Sequence, residues 1–454
     1  MKEKLFKDFD SVSAKAWKQK IQVDLKGADY NEKLVTKTPH GIDIKPFYHP
    51  EEVEHQYATA PKNTWKIAEQ VKFDQGIDEA ILFTKDVAKR GAELIWVLIQ
   101  DNQLDYALYF NALKDLDLPF FVEYKSPSEK LTHLLLDFAS SYNSTFQIGI
   151  DPLHHFSSTG NWWKNQEEDL HLWQSLISNS NVVFYVDARL FQQAGATIPQ
   201  QLAYTLSQLN EYFNWANNAS VKNLNFKIIN AVGANYFLEI AKLKTLPMLI
   251  DSLLDAYSFS TSFEIYSVPS LRNKTLYDYN VNMLRTTTEC MAAVLGGSDV
   301  VNNLAYDEFY HKSNDFGERI SRNQLLMLKE ESYFDKVDNP TDGAYYIDAL
   351  VHQLSENAWH VWKQIEQGGG WIQQLFEGKI QQKIKESSKN EIDAVEKGDS
   401  ILVGTNKYEN PEDRMKNELE ISPFMSSEPR KTLIEPIIEK RISEAIEKKR
   451  MANE

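Results

Sequence analysis

The chain has 454 residues, of which 42% are hydrophobic and 25% are charged, and its formal net charge is -16 at pH 7. This acidic balance argues against a nucleic-acid surface, which needs a basic stripe, and no apolar run approaches the ~20 residues that cross a bilayer. The N-terminus lacks the apolar core of a signal peptide, and the single cysteine, Cys290, cannot form an internal disulfide. These features favour a cytoplasmic, reducing setting, with neither nucleic acid nor a membrane as partner.

The segment 1–60 predicts an arm attached to the main body of the protein. Ser13 is placed to cap a helix in which Trp17, Ile21 and Leu25 share one face, and Gly27 is placed to end it. A lone helix of this length gains most of its stability by burying its apolar stripe. The stripe docks either on the body of this chain or on a partner subunit, and the sequence leaves both open.

Short apolar, β-branched or aromatic runs then recur along the chain and predict strands. They lie at 94–99, 120–124, 146–150, 182–186, 226–230, 263–268, 299–303 and, less clearly, 336–346. Helical patterns separate them, for example at 129–139, 166–177, 199–214 and 236–244. Eight strand–helix units predict an α/β fold of the (β/α)₈ TIM-barrel type. An open doubly wound sheet is the alternative, but the glycine fingerprint that it favours is missing.

The stretch 277–346 shows the clearest alternation of predicted helices and strands. Val281, Leu284, Thr288, Met291 and Leu295 are spaced as one apolar helical face, and two glycines at 296–297 end that helix. A strand at 299–303, a helix at 316–330 and an extended return at 335–346 follow.

The part of the chain after residue 350 predicts a helical and linker extension. Helical patterns cover 351–367 and 372–397, a linker or wrapping strap covers 407–428, and a last helix covers 435–449. We therefore expect an arm at 1–60, a barrel at 61–350 and an extension at 351–454.

Several long segments of this sequence are similar to segments of one protein family. They are VNMLRTTTECMAAVLGG (281–297), DFGERISRNQLLMLKEES (315–332), VDNPTDGAYYIDAL (337–350) and ENAWHVWKQIEQGGG (356–370), with FQQAGAT (191–197), GTNKY (404–408) and, near the start, LKGADY (25–30) and GIDIKPFY (41–48). In their order along the chain and in their residues, these segments resemble the barrel domain of methylmalonyl-CoA mutase. The resemblance implies an isomerase that interconverts methylmalonyl-CoA and succinyl-CoA through radicals, with adenosylcobalamin supplying the radical chemistry.

The same resemblance exposes departures from the catalytic pattern. Where catalytic members place a tyrosine and a histidine over the substrate, this sequence has Arg189 and Leu190, and a leucine cannot donate a hydrogen bond or exchange a proton. The polar motif of the later strand reads Val-Val-Asn-Asn-Leu-Ala at 300–305, and the substrate-contacting region near the N-terminus is reduced to 63–67. We expect no catalytic, cofactor-binding or metal-binding residue in this chain.

The cobalamin-binding domain of the family, with its Asp-x-His-x-x-Gly motif, is not expected after the extension. A near match at Asp169-Leu170-His171 lies in a helical pattern and is interpreted as chance. The resemblance thus implies a small, non-catalytic subunit that pairs with a large catalytic subunit, which binds the adenosylcobalamin. Self-association is expected if the partner is missing. The alternative is the barrel chain of a related acyl-CoA mutase, completed by a separate cobalamin-binding subunit.

Other side chains are weighed as sites in their own right. Asp151, His154 and His155 follow a strand where barrel enzymes place active groups. One interpretation is that they are polar loop residues whose side chains point in different directions. A further hypothesis is that they form the metal site of a metal-using barrel enzyme. Asp187 and Arg189 are predicted either to form an ion pair that plugs the mouth or to be ordinary surface groups.

The remaining candidates are interpreted as structural. Four charged residues predict a charge network: Arg285, Asp315, Arg319 and Arg322. Three tryptophans predict core or interface packing: Trp162, Trp163 and Trp371. Cys290 predicts a packed core thiol.

Overall fold

Eight parallel strands close into a barrel in this computed structural model, which describes residues 9–52, 64–100, 103–221, 223–424 and 430–454. The strands are β1 (Lys66–Val71), β2 (Leu94–Ile99), β3 (Phe120–Tyr124), β4 (Phe146–Ile150), β5 (Val182–Asp187), β6 (Asn223–Val232), β7 (Ser260–Pro269) and β8 (Val300–Asn302). They pair in sequence order, and β8 closes the barrel against β1, with Val301 opposite Ile67. The predicted (β/α)₈ barrel is confirmed.

Helices surround the barrel and continue into both flanking segments. They are α1 (Ala14–Asp24), α2 (Tyr30–Leu34), α3 (Ile77–Lys89), α4 (Tyr106–Ala112), α5 (Glu129–Ser141), α6 (Pro152–Thr159), α7 (Gln166–Ile177), α8 (Arg189–Ala194), α9 (Ile198–Asn218), α10 (Tyr236–Leu254), α11 (Val281–Leu295), α12 (Asp315–Leu326), α13 (Tyr345–Gln367), α14 (Gly370–Phe376), α15 (Lys379–Lys397) and α16 (Glu444–Met451). A π-helical turn, Met327–Glu331, extends α12, and a short antiparallel ladder joins Thr36–Lys37 to Asp43–Ile44.

The predicted strand at 336–346 is wrong, and the true first strand, β1, was missed. The 336–346 segment consists of turns and bends that lead into α13 at Tyr345. Pro340 and Gly343, the latter with a positive φ, interrupt any ladder there. Strand β1 reads KIAEQV, whose polar residues hide the strand from a search for apolar runs. The other seven strands are confirmed, and each lies one place later in the barrel than the sequence count indicated.

The apolar face predicted for α11 is wrong at Leu284 and Thr288 but holds at Met291 and Leu295, which pack half-buried against the core. The helix and its glycine end are confirmed. Leu284 is 67% exposed, whereas the buried face carries Asn282, Glu289 and Cys290. Those polar side chains are satisfied inside: Glu289 Oε2 accepts from Lys274 Nζ at 2.6 Å, and Asn282 Nδ2 donates to the Thr275 carbonyl at 2.8 Å. Burial here follows hydrogen-bond pairing, which apolar spacing does not reveal.

The last predicted helix begins later than expected, at Glu444 and not at Glu435. The preceding segment, residues 430–442, forms neither a helix nor a strand and is called the mouth strap from here on. Pro436 removes a helical donor. Backbone bonds to the barrel replace the helical ones, as at Ile437 N, which donates to the Ser157 carbonyl at 2.9 Å.

The N-terminal arm docks in part on the chain's own body. Gln353 Oε1 accepts from Asp43 N at 3.0 Å, and Asn357 Nδ2 donates to the Gly41 carbonyl at 3.1 Å, so the ladder lies on α13. Helix α1, capped by Ser13 as predicted, stacks Trp17 on Phe47 with ring centroids 4.3 Å apart. Trp17 is nevertheless 45% exposed, and Ile21 and Leu25 are half-buried, so this chain covers the predicted stripe of α1 only in part.

Aromatic side chains fill the bore of the barrel. Phe121 lies 5.7 Å from Trp96, 6.0 Å from Tyr185 and 5.3 Å from Tyr266, measured between ring centroids, and all four side chains are buried. Gly149 makes room for them, because a Cβ atom at that position would lie 2.6 Å from Phe121 Cε2 and 3.0 Å from Tyr185 Cδ1. The bore is a packed core and not a channel.

Replacing Gly149 with alanine should therefore overpack the bore. We expect G149A to lower the free energy of unfolding by about 1–3 kcal/mol, the usual cost of an extra carbon in a filled core. Urea denaturation of the full chain measures it. In an F121L background the smaller side chain relieves the clash, so the same change should cost less. Equal costs in both backgrounds would contradict the packing described for Gly149.

Candidate functional site at the barrel mouth

Four charged side chains meet where the carboxyl ends of the strands converge, the end at which TIM-barrel enzymes place their active sites. Arg189 Nη2 donates to Glu123 Oε1 at 2.6 Å, and Arg189 Nε donates to Asp187 Oδ1 at 2.7 Å. Lys125 Nζ lies 2.7 Å from Glu123 Oε1 and 2.9 Å from Asp187 Oδ2. The predicted Asp187–Arg189 ion pair is confirmed as half of a larger group, called the mouth cluster from here on.

The mouth cluster holds both of its carboxylates ionised. Burial alone would raise the pKa of Glu123, but the adjacent Arg189 and Lys125 cations outweigh burial and keep that pKa below its ordinary value. The same balance holds the pKa of Asp187 well below its ordinary value. Neither carboxylate is therefore suited to exchanging a proton near neutral pH.

The mouth cluster is tied to the aromatic bore through Trp96. The indole Nε1 of Trp96 donates to Glu123 Oε2 at 2.9 Å. The Arg189 guanidinium carbon lies 5.3 Å from the centroid of the Trp96 ring. That separation is within cation–π range. Charge layer and aromatic layer are thus one continuous packing unit.

Asp151, His154 and His155 lie on or next to helix α6 and not in the extended loop that was expected. Both oxygens of Asp151 are engaged: Oδ1 accepts from His154 N at 2.8 Å and from Tyr212 Oη at 2.5 Å, and Oδ2 accepts from Asp187 N at 3.0 Å. Asp151 therefore caps α6 and orders the end of β5. Burial raises its pKa to about 7 against these hydrogen bonds.

The two histidines point to different surroundings, as expected. His154 Nε2 lies 3.3 Å from Lys125 Nζ, and burial together with this cation lowers the pKa of His154 to about 3. His155 packs against Trp163, with ring centroids 5.4 Å apart. Within the described part of the chain, no three His, Cys, Asp or Glu side chains form a group that could hold a metal. The metal-using barrel hypothesis finds no support.

The mouth strap crosses the top of the barrel. Leu433 N donates to the Gly160 carbonyl at 3.0 Å, Lys440 N to the Gln193 carbonyl at 3.0 Å, and Ile442 N to the Arg272 carbonyl at 2.9 Å. These acceptors follow β4, β5 and β7, so the strap spans much of the rim. Gly160, whose φ is positive, permits its approach, since a Cβ atom there would lie 2.6 Å from the Ile434 carbonyl oxygen.

The positions that the family resemblance marks as altered make structural contacts. Leu190 is 2% exposed and packs in the hydrophobic core from α8. Asn303 Nδ2 donates to Gln324 Oε1 at 2.7 Å, and Cys290 Sγ donates to Asn303 Oδ1 at 3.3 Å. Of the 63–67 segment, Asn63 lies outside the described residues, and Trp65 is buried.

The predicted packing of the tryptophans and of the thiol is confirmed. Trp162 stacks on Phe156 with ring centroids 4.3 Å apart, and Trp163 Nε1 donates to the Lys125 carbonyl at 2.9 Å. Trp371 and Cys290 are fully buried.

The predicted network of Arg285, Asp315, Arg319 and Arg322 is wrong. Arg285 donates to Thr275 Oγ1 and Asn282 Oδ1 at 2.8 Å, Arg319 lies over the Phe316 ring, and Arg322 approaches Glu69. These side chains serve separate local contacts because α11 and α12 present them to different neighbours.

Sequence reasoning missed Glu123 and Lys125. A usable signal was present, because Glu123 interrupts the apolar run FFVEY. A charge inside a buried strand requires a partner. The identity of that partner could not be read from the sequence, since Arg189 is 66 residues away.

Neither the histidine of the near match nor the histidine at the mouth is placed to hold adenosylcobalamin. His171 of the near match at 169–171 is exposed on the surface helix α7, and the Asp169 carboxylate accepts from Trp163 N at 2.8 Å and from Lys164 N at 3.2 Å. His154, at the mouth, is enclosed by the mouth cluster.

No helix in the described ranges is long and apolar enough to cross a membrane.

Comparison with known proteins gives one consistent family. The family model for methylmalonyl-CoA mutase matches residues 146–452. The methylmalonyl-CoA mutase small subunit of Porphyromonas gingivalis is 30% identical over 447 residues, which cover 90% of this chain and 72% of that protein.

Longer relatives match a smaller part of this chain. The methylmalonyl-CoA mutase of Rhizobium meliloti is 32% identical over 241 residues, covering 50% of this chain and 32% of that protein. The Porphyromonas gingivalis large subunit is 29% identical over 238 residues, covering 51% and 33%. The matched region thus spans about a third of the length of these two relatives. From the family model and the small-subunit relative together, the chain belongs to the methylmalonyl-CoA mutase family.

Proposed function

We propose that this chain is the non-catalytic small subunit of an adenosylcobalamin-dependent methylmalonyl-CoA mutase, and that it stabilises a large catalytic subunit. The complex would interconvert methylmalonyl-CoA and succinyl-CoA. The filled bore carries the proposal, because catalytic members of the family need a bore that takes the CoA ester. Trp96, Phe121, Tyr185 and Tyr266 occupy that space and interdigitate at ring distances of 5.3–6.0 Å.

The side chains at the mouth support the same conclusion. A mutase needs groups that orient a thioester carbonyl and stabilise charge on it. At the corresponding positions, Arg189 is engaged by Glu123 and Asp187, and Leu190 faces the core. Neither position therefore offers a substrate the polar contact that the family's tyrosine and histidine provide.

The mouth strap lies against the same residues of the mouth. The Glu439 carboxylate of the strap lies 2.8 Å from the side-chain amide of Gln193. Burial and the nearby Asp187 raise the pKa of Glu439 to about 7, against the lowering effect of Arg189 and Lys125. The strap is therefore part of the buried electrostatics of the mouth.

Because neither His171 nor His154 is placed as a cobalt ligand, we assign the cofactor to the partner chain. The two Porphyromonas gingivalis relatives are a small and a large subunit, which supports a heterodimer. The outward face of α1, with Trp17 45% and Val23 71% exposed, supplies apolar surface for such a contact. A homodimer through this surface is the proposed state without the large subunit. The free buried thiol of Cys290 is compatible with a cytoplasmic location.

The alternative, a barrel completed by a separate cobalamin-binding subunit, is disfavoured by the same filled bore. Such a chain would still have to bind an acyl-CoA ester itself. The two hypotheses are therefore separated by one measurement, acyl-CoA binding to this chain.

The decisive experiment mixes this chain with the longer mutase homologue of the same organism. We expect co-elution of the two chains, isomerisation of methylmalonyl-CoA by the pair with adenosylcobalamin, and no activity from this chain alone. Calorimetric titration of this chain with methylmalonyl-CoA should give no saturable heat. Saturable binding, or turnover after adding only a cobalamin-binding subunit, would establish the alternative instead.

Removing Arg189, the central cation of the mouth, should lower the stability of the barrel. R189A leaves Glu123 and Asp187 buried with only Lys125 as counter-charge, and we expect a loss of about 3–5 kcal/mol in the free energy of unfolding. Chemical denaturation measures it. R414A is the matched control, since Arg414 is an exposed arginine that donates to the carbonyls of Pro411 and Asp413. Similar stabilities for R189A and R414A would contradict a structural role for the cluster.

Glu439 should make stability depend on pH. Its pKa in the folded chain is about 7, against an ordinary value of 4.5, so the folded state keeps a proton that the unfolded state releases. Its contribution to stability therefore decreases as the pH rises from the ordinary pKa through the folded one. We expect E439Q to gain stability over wild type on the alkaline side of this window and to match it on the acidic side.

Denaturation midpoints across this pH range provide the test, and E435Q on the same strap is the control because Glu435 is exposed. The comparison with wild type cancels the similar contributions of Asp151 and Glu69, which every variant retains. A pH-independent difference between E439Q and wild type would rule out the proposed protonation.

A further inference from the structure

A histidine bridge ties the loop between β8 and α12 to a segment that follows the helical extension. His311 lies in this loop, residues 303–314, on the face where the carboxyl ends of the strands converge. The other side of the bridge belongs to residues 411–424, which form neither a helix nor a strand and are called the rim segment from here on. The function proposed above does not use this bridge.

Both ring nitrogens of His311 face oxygen acceptors. Nδ1 lies 3.1 Å from Asp307 Oδ2, and Nε2 lies 2.8 Å from the Glu418 carbonyl oxygen. A neutral imidazole carries one N–H, and a protonated imidazole carries two. The two contacts therefore require one proton more than a neutral histidine beside an ionised aspartate possesses. This holds whether the ring or the Asp307 carboxyl group carries the extra proton.

The two contacts differ in what their loss would cost. Asp307 is 1% exposed, and its Oδ2 atom also accepts from Asn314 Nδ2 at 2.9 Å. Glu418 is exposed, so water can satisfy its carbonyl. A buried carboxylate without a donor is costlier than an exposed carbonyl without one. When the extra proton leaves, the remaining ring proton therefore faces Asp307, and the contact with the Glu418 carbonyl is lost.

The tyrosines around the bridge do not titrate with it. The Tyr310 ring lies 4.4 Å from the His311 ring, measured between centroids. Burial, together with the nearby Asp307, raises the pKa of Tyr306 to about 12 and raises the pKa of Tyr310 as well. Both phenols are therefore neutral in the range where histidines change charge, between about pH 5 and 8.

The other charged side chains near the bridge do not make its hydrogen bonds. On the loop, Glu308 pairs with Lys72, and Lys312 is exposed. On the rim segment, the Glu418 and Glu420 side chains are exposed, and Glu420 Oε2 accepts from Lys312 N at 2.9 Å. Solvent and salt screen such exposed charges. The proton held between His311 and Asp307 is therefore the one on which the bridge depends.

We propose that this bridge is a pH-sensitive latch, closed while the His311–Asp307 pair holds its extra proton and open once that proton is lost. When closed, it holds the middle of the rim segment on the loop. Two neighbouring amides report its state, since Glu420 N and Ile421 N donate to the Tyr310 carbonyl at 2.9 and 3.0 Å. Opening removes the contact beside them, so they exchange with solvent more readily. The latch is independent of the subunit role proposed above.

Hydrogen–deuterium exchange of the full-length chain, read by mass spectrometry on peptides covering 416–421, tests the latch between about pH 5 and 8. Each rate is divided by the intrinsic exchange rate at the same pH. We expect wild-type protection of this stretch to fall by about fivefold or more as the pH rises, because one charge-assisted hydrogen bond is lost. H133Q, at an exposed histidine of α5, is the matched control and should follow wild type.

Two variants at the bridge separate the latch from general loosening of the rim segment. H311Q removes the titrating ring, so its protection should not change with pH. D307N supplies an amide donor to the neutral Nδ1, which leaves the Nε2 proton for the Glu418 carbonyl, so the stretch should stay protected at high pH. Wild-type protection that does not fall with pH would overturn the proposal. So would wild-type pH dependence in H311Q, or in a D307N chain that is folded by circular dichroism. If D307N does not fold, the comparison with H311Q decides alone.

Discussion

The structure of the mouth depends on one interaction, the double contact of Arg189 with Glu123 and Asp187. Two carboxylates are buried at the ends of β3 and β5, and burial of an unpaired carboxylate is costly. Arg189 donates to both at 2.6–2.8 Å, and Lys125 supplies the second positive charge. The cluster is thereby neutral overall, and it links strands that are not neighbours in the barrel.

This charge cluster and the aromatic bore require each other. The Trp96 indole donates a hydrogen bond to Glu123, and the Arg189 guanidinium lies over the Trp96 ring. Trp96 also packs edge-on against Tyr266, with ring centroids 5.5 Å apart. Buried ion pairs rarely add net stability by themselves, because desolvation offsets their attraction. The apolar packing beneath them supplies the stabilisation, and the ion pairs fix which strands meet at the top.

Most of the fold was predictable because most strands are uniformly apolar, as LIWVLI of β2 and VVFYV of β5 are. Strand β1 was not, since polar residues interrupt its apolar pattern, and its Glu69 meets Arg322 only through tertiary packing. The Asp187–Arg189 pair was foreseen because its members are two residues apart at a strand end. Glu123 and Lys125 were not, because a sequence alone carries no distance between strands.

Most of the long segments that carry the family resemblance lie in the outer helices α11, α12 and α13 and not in the mouth, which only the FQQAGAT segment of α8 reaches. In RTTTE, Thr286 and Thr287 meet the Gln324 amide of α12 at 3.1 and 2.6 Å, and Arg285 Nη2 donates to the Val403 carbonyl at 2.8 Å. Such contacts hold the outer helices to the barrel whatever the bore contains. Overall identity therefore reports the scaffold, and activity in this family has to be inferred from the few positions around Arg189 and Leu190.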